Sequence, residues 1–129
     1  MLADSDITTL VAVTSLAEAK SFYEDKLRLR RTDDNPGWVQ YRSGTTTLIV
    51  YESEHGGSNH ATTAAWTVRD VTETVRELKR NGVSSFQQYD DLPGATRDGD
   101  IHRAGAVKMA WFTDPSGNIF EVNGRDEAD

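Results

Sequence analysis

A chain of 129 residues, 36% hydrophobic and 27% charged, has the balance of a folded domain and the length to bury a core without covalent staples. It has no cysteine, which excludes a disulfide framework, a thiolate metal site and a thiol nucleophile. Fourteen Lys and Arg against 21 Asp and Glu leave a charge of −7 with no basic stripe, so nucleic acid is not an expected partner.

Met1-Leu2-Ala3-Asp4-Ser5-Asp6 is acidic and lacks the basic start of a secretory signal, so a cytoplasmic location is expected. No apolar run approaches the ~20 residues that cross a bilayer, so no membrane partner is expected either. Ile7 to Thr14 alternates with period two and predicts a strand. Ser15-Leu16-Ala17-Glu18 then places a capping oxygen three residues before a Glu, the spacing of a capping box. The helix it opens carries Leu16, Ala19, Tyr23 and Leu27 on one face, with Phe22 beside them. Strands are predicted at Leu29 to Thr32, Trp38 to Arg42 and Thr45 to Tyr51, parted by turns at Asp33 to Gly37 and Ser43-Gly44. Glu52 to Ala61, with Gly56-Gly57-Ser58, is a polar link.

The second half begins the same way. Thr62 to Val68 predicts a strand, and Asp70-Val71-Thr72-Glu73 repeats the capping box fifty-five residues after the first. Val71, Val75 and Leu78 share one helix face, and Asn81-Gly82 supplies a left-handed stop. Further strands are predicted at Ser84 to Gln88, Val107 to Thr113 and Asn118 to Asn123, the last two joined by the tight turn Asp114-Pro115-Ser116-Gly117. Asp90 to Gly105 is a polar insertion carrying His102, which reads as a lid over a cavity or as an ordinary surface position.

The order is therefore β-α-β-β-β twice, an α+β architecture. One domain over residues 1–129 contains two repeats, about 6–52 and 61–123. Two segments carry a resemblance. Ser21-Phe22-Tyr23-Glu24-Asp25-Lys26-Leu27-Arg28-Leu29 follows Val13-Thr14-Ser15-Leu16, and Phe112-Thr113-Asp114-Pro115-Ser116-Gly117-Asn118-Ile119-Phe120-Glu121-Val122 closes the second half. Together they resemble the vicinal oxygen chelate superfamily of glyoxalase I, bleomycin-resistance proteins, fosfomycin-resistance enzymes and extradiol dioxygenases. The resemblance implies a curved mixed sheet with helices on its outer face, and Arg28 stands where the family has Gly.

The resemblance also implies one divalent metal in a sheet cavity, held by the first and last strands of each half. Carried over, the first-strand positions are Thr8 and Thr63, where the family commonly has His, and the last-strand positions are Glu121 and a residue near Ile49. One carboxylate, two hydroxyls and an aliphatic side chain do not make a zinc, calcium or magnesium site, so no metal and no other cofactor is expected there. His55 and His60 read as solvated link residues.

Side-chain alternation places Leu10, Ala12, Ala65, Thr67, Ile119 and Asn123 on the cavity side with Thr8, Thr63 and Glu121, together with Thr47, Tyr51, Met109 and Trp111. Val11, Val13, Leu48, Val50, Trp66, Val68, Phe120 and Val122 fall under the helices. The expected ligand-binding set is Thr8, Leu10, Ile49, Tyr51, Thr63, Ala65, Met109, Trp111 and Glu121, an apolar and aromatic wall with one acid. Glu121 is the candidate acid, base or anionic partner for a cationic ligand. Trp38 follows a Pro-Gly turn and suits an interface or a rim. Three functions stay open. The first is a metal-free binder of a small organic molecule, serving resistance or sequestration as a homodimer. The second is a lyase, isomerase or dioxygenase that uses Glu121 as acid, base or metal ligand. The third is an interaction module that pairs by a sheet edge.

Overall fold

The computed structural model describes residues 1–125. After one 3-10 turn, Leu2–Asp4, the first half runs β1 (Thr9–Val13), α1 (Leu16–Ser21), β2 (Arg30–Asn35), β3 (Trp38–Ser43) and β4 (Thr46–Glu52). The second half runs β5 (Thr62–Thr67), α2 (Val71–Arg80), β6 (Phe86–Gln87), β7 (Thr96–Asp98), β8 (Ile101–Ala104), β9 (Val107–Thr113) and β10 (Ile119–Arg125). Hydrogen bonding divides the strands into two mixed sheets, β1-β4-β3-β2 and β5-β10-β9-β8-β7. Each opens with a parallel pair, β1 with β4 and β5 with β10, followed by antiparallel neighbours. In the second sheet β6 and β8 divide one edge of β9, β6 taking Trp111 and Phe112 and β8 taking Val107 to Met109.

Both helix starts form as their sequences direct, but only by half. Ser15 Oγ accepts from the Glu18 N–H at 3.2 Å, and an Asp70 carboxylate oxygen accepts from the Glu73 N–H at 3.0 Å. Glu73 does not reach back to its cap; it pairs with Arg76 and Arg80. Beyond Ser21 the first helix widens into a π turn over Phe22–Lys26, in which the Leu27 N–H bonds to the Phe22 carbonyl. That wider turn buries both Phe22 and Tyr23. Arg28 then takes φ +62°, the left-handed conformation that glycine adopts without strain.

One apolar core joins the halves. Val11, Val13, Leu48 and Val50 of the first sheet and Phe112, Phe120 and Val122 of the second belong to one cluster with Phe22, Tyr23, Val71 and Val75 of the helices. Trp66 and Val68 pack at its margin. The halves are also clasped through the Asp114–Asn118 turn. Asp114 Oδ1 accepts from the backbone N–H groups of Ser116 and Asn118, and Oδ2 accepts from the Tyr23 hydroxyl at 2.7 Å and from Asn118 Nδ2 at 2.9 Å. Asn118 Nδ2 also donates to the Ala12 carbonyl, and the Thr14 N–H donates to Ser116 Oγ. Burial and the neighbouring Asp114 carboxylate push the Tyr23 hydroxyl far above the ordinary tyrosine range, so it stays a donor. The link threads the same seam: a Cβ on Gly57, at φ +71°, would sit 1.7 Å from the Ser116 carbonyl oxygen.

Two expectations need correction, and one open segment is placed. β1 begins at Thr9, so Thr8 precedes the strand. β2 extends to Asn35 by way of a bulge at Thr32, leaving Pro36-Gly37 as the turn. The Asp90 to Gly105 insertion contains the β7–β8 hairpin.

Candidate functional site

The sheet faces turned away from the helices carry the candidate site. On the second sheet, register assembles two adjacent rows. Ala65 on β5, Glu121 on β10, Trp111 on β9 and Gln87 on β6 form one. Thr67, Asn123, Met109 and His102 of β8 form the other. Glu121 is half-buried, and within the described residues Asn123 is its hydrogen-bond partner, donating from Nδ2 to Oε2. Asn123 Oδ1 accepts in turn from the Thr67 hydroxyl at 2.8 Å. This Thr67–Asn123–Glu121 chain fixes the orientation of the carboxylate by donating to it. Alternation puts Asn123 and Thr67 on this face; Asn123 reaches Glu121 along its own strand, and cross-strand register brings Thr67 to Asn123.

His102 is neither lid nor surface. It is fully buried on β8, with Nε2 accepting from the Tyr89 N–H at 2.9 Å. Its ring meets Trp111 edge to face at 4.9 Å, and Tyr89 meets Trp111 in the same way at 5.1 Å. An acceptor at Nε2 places the proton of the neutral ring on Nδ1, which has no hydrogen-bond partner among the described residues. The segment after β6 is thus pinned over the outer end of this face. Arg97, in register with His102, clasps Asp90 through Nε at 2.8 Å and Nη2 at 3.2 Å. That pairing holds the Asp90 carboxyl below the usual carboxylate range. Nothing in the sequence pattern of the insertion signalled this aromatic triad, because Tyr89 and His102 become neighbours only when the hairpin folds back.

The first sheet contributes a second group. Parallel pairing sets Leu10 beside Ile49, and antiparallel pairing sets Tyr51 beside Trp38. Leu10 is 57% and Tyr51 38% exposed, so this part of the face is open to solvent. The structure therefore gathers Ala65, Met109, Trp111 and Glu121 in one cluster and Leu10, Ile49 and Tyr51 in another. Thr8 is exposed ahead of β1. Thr63 is the extra residue of a bulge, opposed by no residue between the Thr62–Ile119 and Ala64–Phe120 pairs, and simple alternation fails there. Between the sheets lies a cleft of about 90 Å³ whose walls include Thr9, Thr47, Ala65 and Trp66.

The metal implied by the resemblance does not fit this donor set. Glu121 is surrounded by an amide, a hydroxyl, a methyl and an indole, and among the described residues no group of three His, Cys, Asp or Glu side chains could hold a metal ion. Among the described residues, no helix is long and apolar enough to cross a membrane.

A family model described as Glyoxalase/Bleomycin resistance protein/Dioxygenase superfamily matches residues 7–122. No curated protein sequence matches significantly. Among solved structures, the chain is similar to TnmS3, an antibiotic binding protein from Streptomyces sp. CB03234, with a TM-score of 0.69, 22% identity and coverage of 97% of this chain and 99% of that one. It is also similar to the fosfomycin resistance protein FosX from Listeria monocytogenes, with a TM-score of 0.69, 12% identity and coverage of 94% and 93%. Lactoylglutathione lyase from Agrobacterium tumefaciens is a third, with a TM-score of 0.65, 14% identity and coverage of 94% and 93%. At these identities the likeness is one of fold.

Proposed function

The chain belongs to the glyoxalase/bleomycin resistance protein/dioxygenase superfamily, and from that premise we propose that it binds a small organic ligand without a metal, for resistance or sequestration. The observation that carries this reading is the setting of Glu121. A single oriented carboxylate, fixed by Asn123 and Thr67, stands beside Trp111 and Met109, and the one imidazole of the neighbouring row, His102, is fully buried with Nε2 taken by the Tyr89 N–H. Such a group recognises a positive charge or a hydrogen-bond donor on a molecule whose body packs on the indole and thioether. An antibiotic-binding protein and a fosfomycin resistance protein of the same fold support the ligand class.

The full site in this reading comprises Ala65, Met109, Trp111 and Glu121 from the second sheet, with Leu10, Ile49, Tyr51, Thr8 and Thr63 at its margin. The open apolar face around Leu10 and Tyr51 is closed by a second copy, giving a symmetric homodimer. The protein works in the cytoplasm, where a cysteine-free chain loses nothing by forgoing disulfides.

Calorimetric titration with proflavine, a planar organic cation, tests the reading alongside thermal melts with zinc, manganese, nickel and iron(II). Saturable proflavine binding is expected, weakened roughly tenfold or more by Glu121→Gln because a charge-assisted contact is lost. A metal that mattered would add about 2.7 kcal/mol of stability at a hundred times its dissociation constant. Stoichiometric metal binding abolished by Glu121→Gln would overturn the metal-free reading in favour of a metal-dependent lyase, isomerase or dioxygenase.

A further inference from the structure

On the reverse of the second sheet from Glu121, a cleft of about 210 Å³ opens between α2, the segment following the π turn and the β3–β4 hairpin. Its walls include Leu27, Leu29, Trp66, Leu78, Phe112 and Val122, with the hydroxyls of Ser43 and Thr74 as its polar groups. Trp66 and Val122 alternate along their strands with Ala65 and Glu121, so the cleft shares the sheet with the Glu121 site but faces the opposite way.

Three features make this more than loose packing. The first is size: about 150 Å³ suffices for benzene in an apolar protein cavity, and this space is larger. The second is a rigid aromatic wall. Trp66 stacks on Phe112 with centroids 6.3 Å apart and planes 18° from parallel, and it packs against Phe120 at 5.4 Å. The third is a placed polar group. The Trp66 indole N–H donates to Ser43 Oγ at 2.8 Å, which orients the serine hydroxyl and leaves its own hydrogen to donate elsewhere. The Thr74 hydroxyl is spent on the Asp70 carbonyl. No charged side chain lines the space.

We infer that this cleft is a second binding site, specific for a small, uncharged one- or two-ring aromatic molecule with a single hydrogen-bond acceptor, received by the Ser43 hydroxyl. The walls exclude ions because nothing there repays their desolvation. The volume excludes molecules much larger than two fused rings. The site is independent of the Glu121 reading, since it contains none of the residues of the Glu121 rows, although Ser43 and Trp66 also border the small cleft between the sheets.

Quinoline, a bicyclic aromatic with one acceptor nitrogen, is the probe, titrated into the full chain while assigned amide, indole N–H and methyl resonances are followed. Saturable shifts are expected at the Trp66 indole N–H and at the Val68 and Val122 methyls, with the Trp111 indole N–H unmoved. Thr74→Phe and Leu78→Trp, which fill the space, should each raise the quinoline dissociation constant at least tenfold while the spectrum stays dispersed. Ser43→Ala should erase any preference for quinoline over naphthalene. Shifts centred on Trp111 and Ala65, undiminished binding to either filled variant, or no saturable shift in the unmodified protein would overturn the assignment. Should both filled variants fail to fold, the pattern of shifts in the unmodified protein decides.

Discussion

Tyr23→Phe probes the clasp that joins the two halves. The substitution deletes one hydroxyl and keeps the ring, so the edge contacts with Phe22 at 5.3 Å and Phe120 at 6.1 Å and the stack on Tyr41 at 5.9 Å survive. What disappears is a buried 2.7 Å hydrogen bond to Asp114 Oδ2. A hydrogen bond to a charged group contributes about 1.5–3 kcal/mol. Asn118 Nδ2 still donates to the same oxygen at 2.9 Å, so the carboxylate is not orphaned and the loss falls near ~2 kcal/mol. In a chain of this length that lowers Tm by roughly 6–10 °C and moves the urea midpoint by about 1 M at constant slope. Tyr41→Phe is the control. Its hydroxyl donates to Glu24 at 2.8 Å, but Glu24 keeps two bonds from Arg31 nearer the surface, so the loss should be only ~1 kcal/mol. Paired urea titrations followed by circular dichroism measure both. Because burial and Asp114 hold the Tyr23 hydroxyl protonated far above the usual range, the difference should persist to about pH 10. Equal losses in the two variants, or a Tyr23→Phe effect within about 0.5 kcal/mol of zero, would refute the assignment of the clasp.

Two further outcomes follow from local geometry. Arg28→Gly removes the left-handed strain of a side chain at φ +62°, ~1–2 kcal/mol, against a glycine entropy loss of ~0.5–1 kcal/mol, so urea titration should show a net gain near ~0.5 kcal/mol. A loss of stability would mean that the arginine side chain contributes more than its backbone strains. The Asp90–Arg97 clasp should open in acid. The Asp90 carboxyl titrates below its unfolded value, so its stabilisation is full above the unfolded carboxylate range and fades as pH falls through the lowered folded value. Amide exchange or fluorescence should report loosening of the segment around Tyr89 below about pH 4, absent in Asp90→Asn, which should already be loosened at neutral pH.

Much of the candidate face was visible in the linear pattern. Period two placed Glu121, Asn123, Thr67, Ala65, Met109 and Trp111 away from the helices, and register shows them as neighbours. Alternation failed at Thr63 because a bulge adds one residue with no partner, and a bulge leaves no compositional mark in a run of threonines and alanines. The fold of the insertion was hidden for another reason. Asp, Gly and Arg favour turns locally, yet the β7–β8 hairpin is held by pairing with β9 and by His102 beneath Tyr89, contacts that local composition does not report.

Local chemistry alone settled the doubled strand–helix order, the two capped helix starts and the tight turn at Asp114, since capping oxygens, period-two alternation and Pro-Gly chemistry act within a few residues. Only the folded chain decided what those pieces do together. It turned the Asp114 turn into a clasp on Tyr23 and Ala12, sank His102 against Trp111, and aimed Asn123 at Glu121. The clasp depends on side chains meeting across about a hundred residues, and the other two on how neighbouring strands pack side chains that composition alone does not orient.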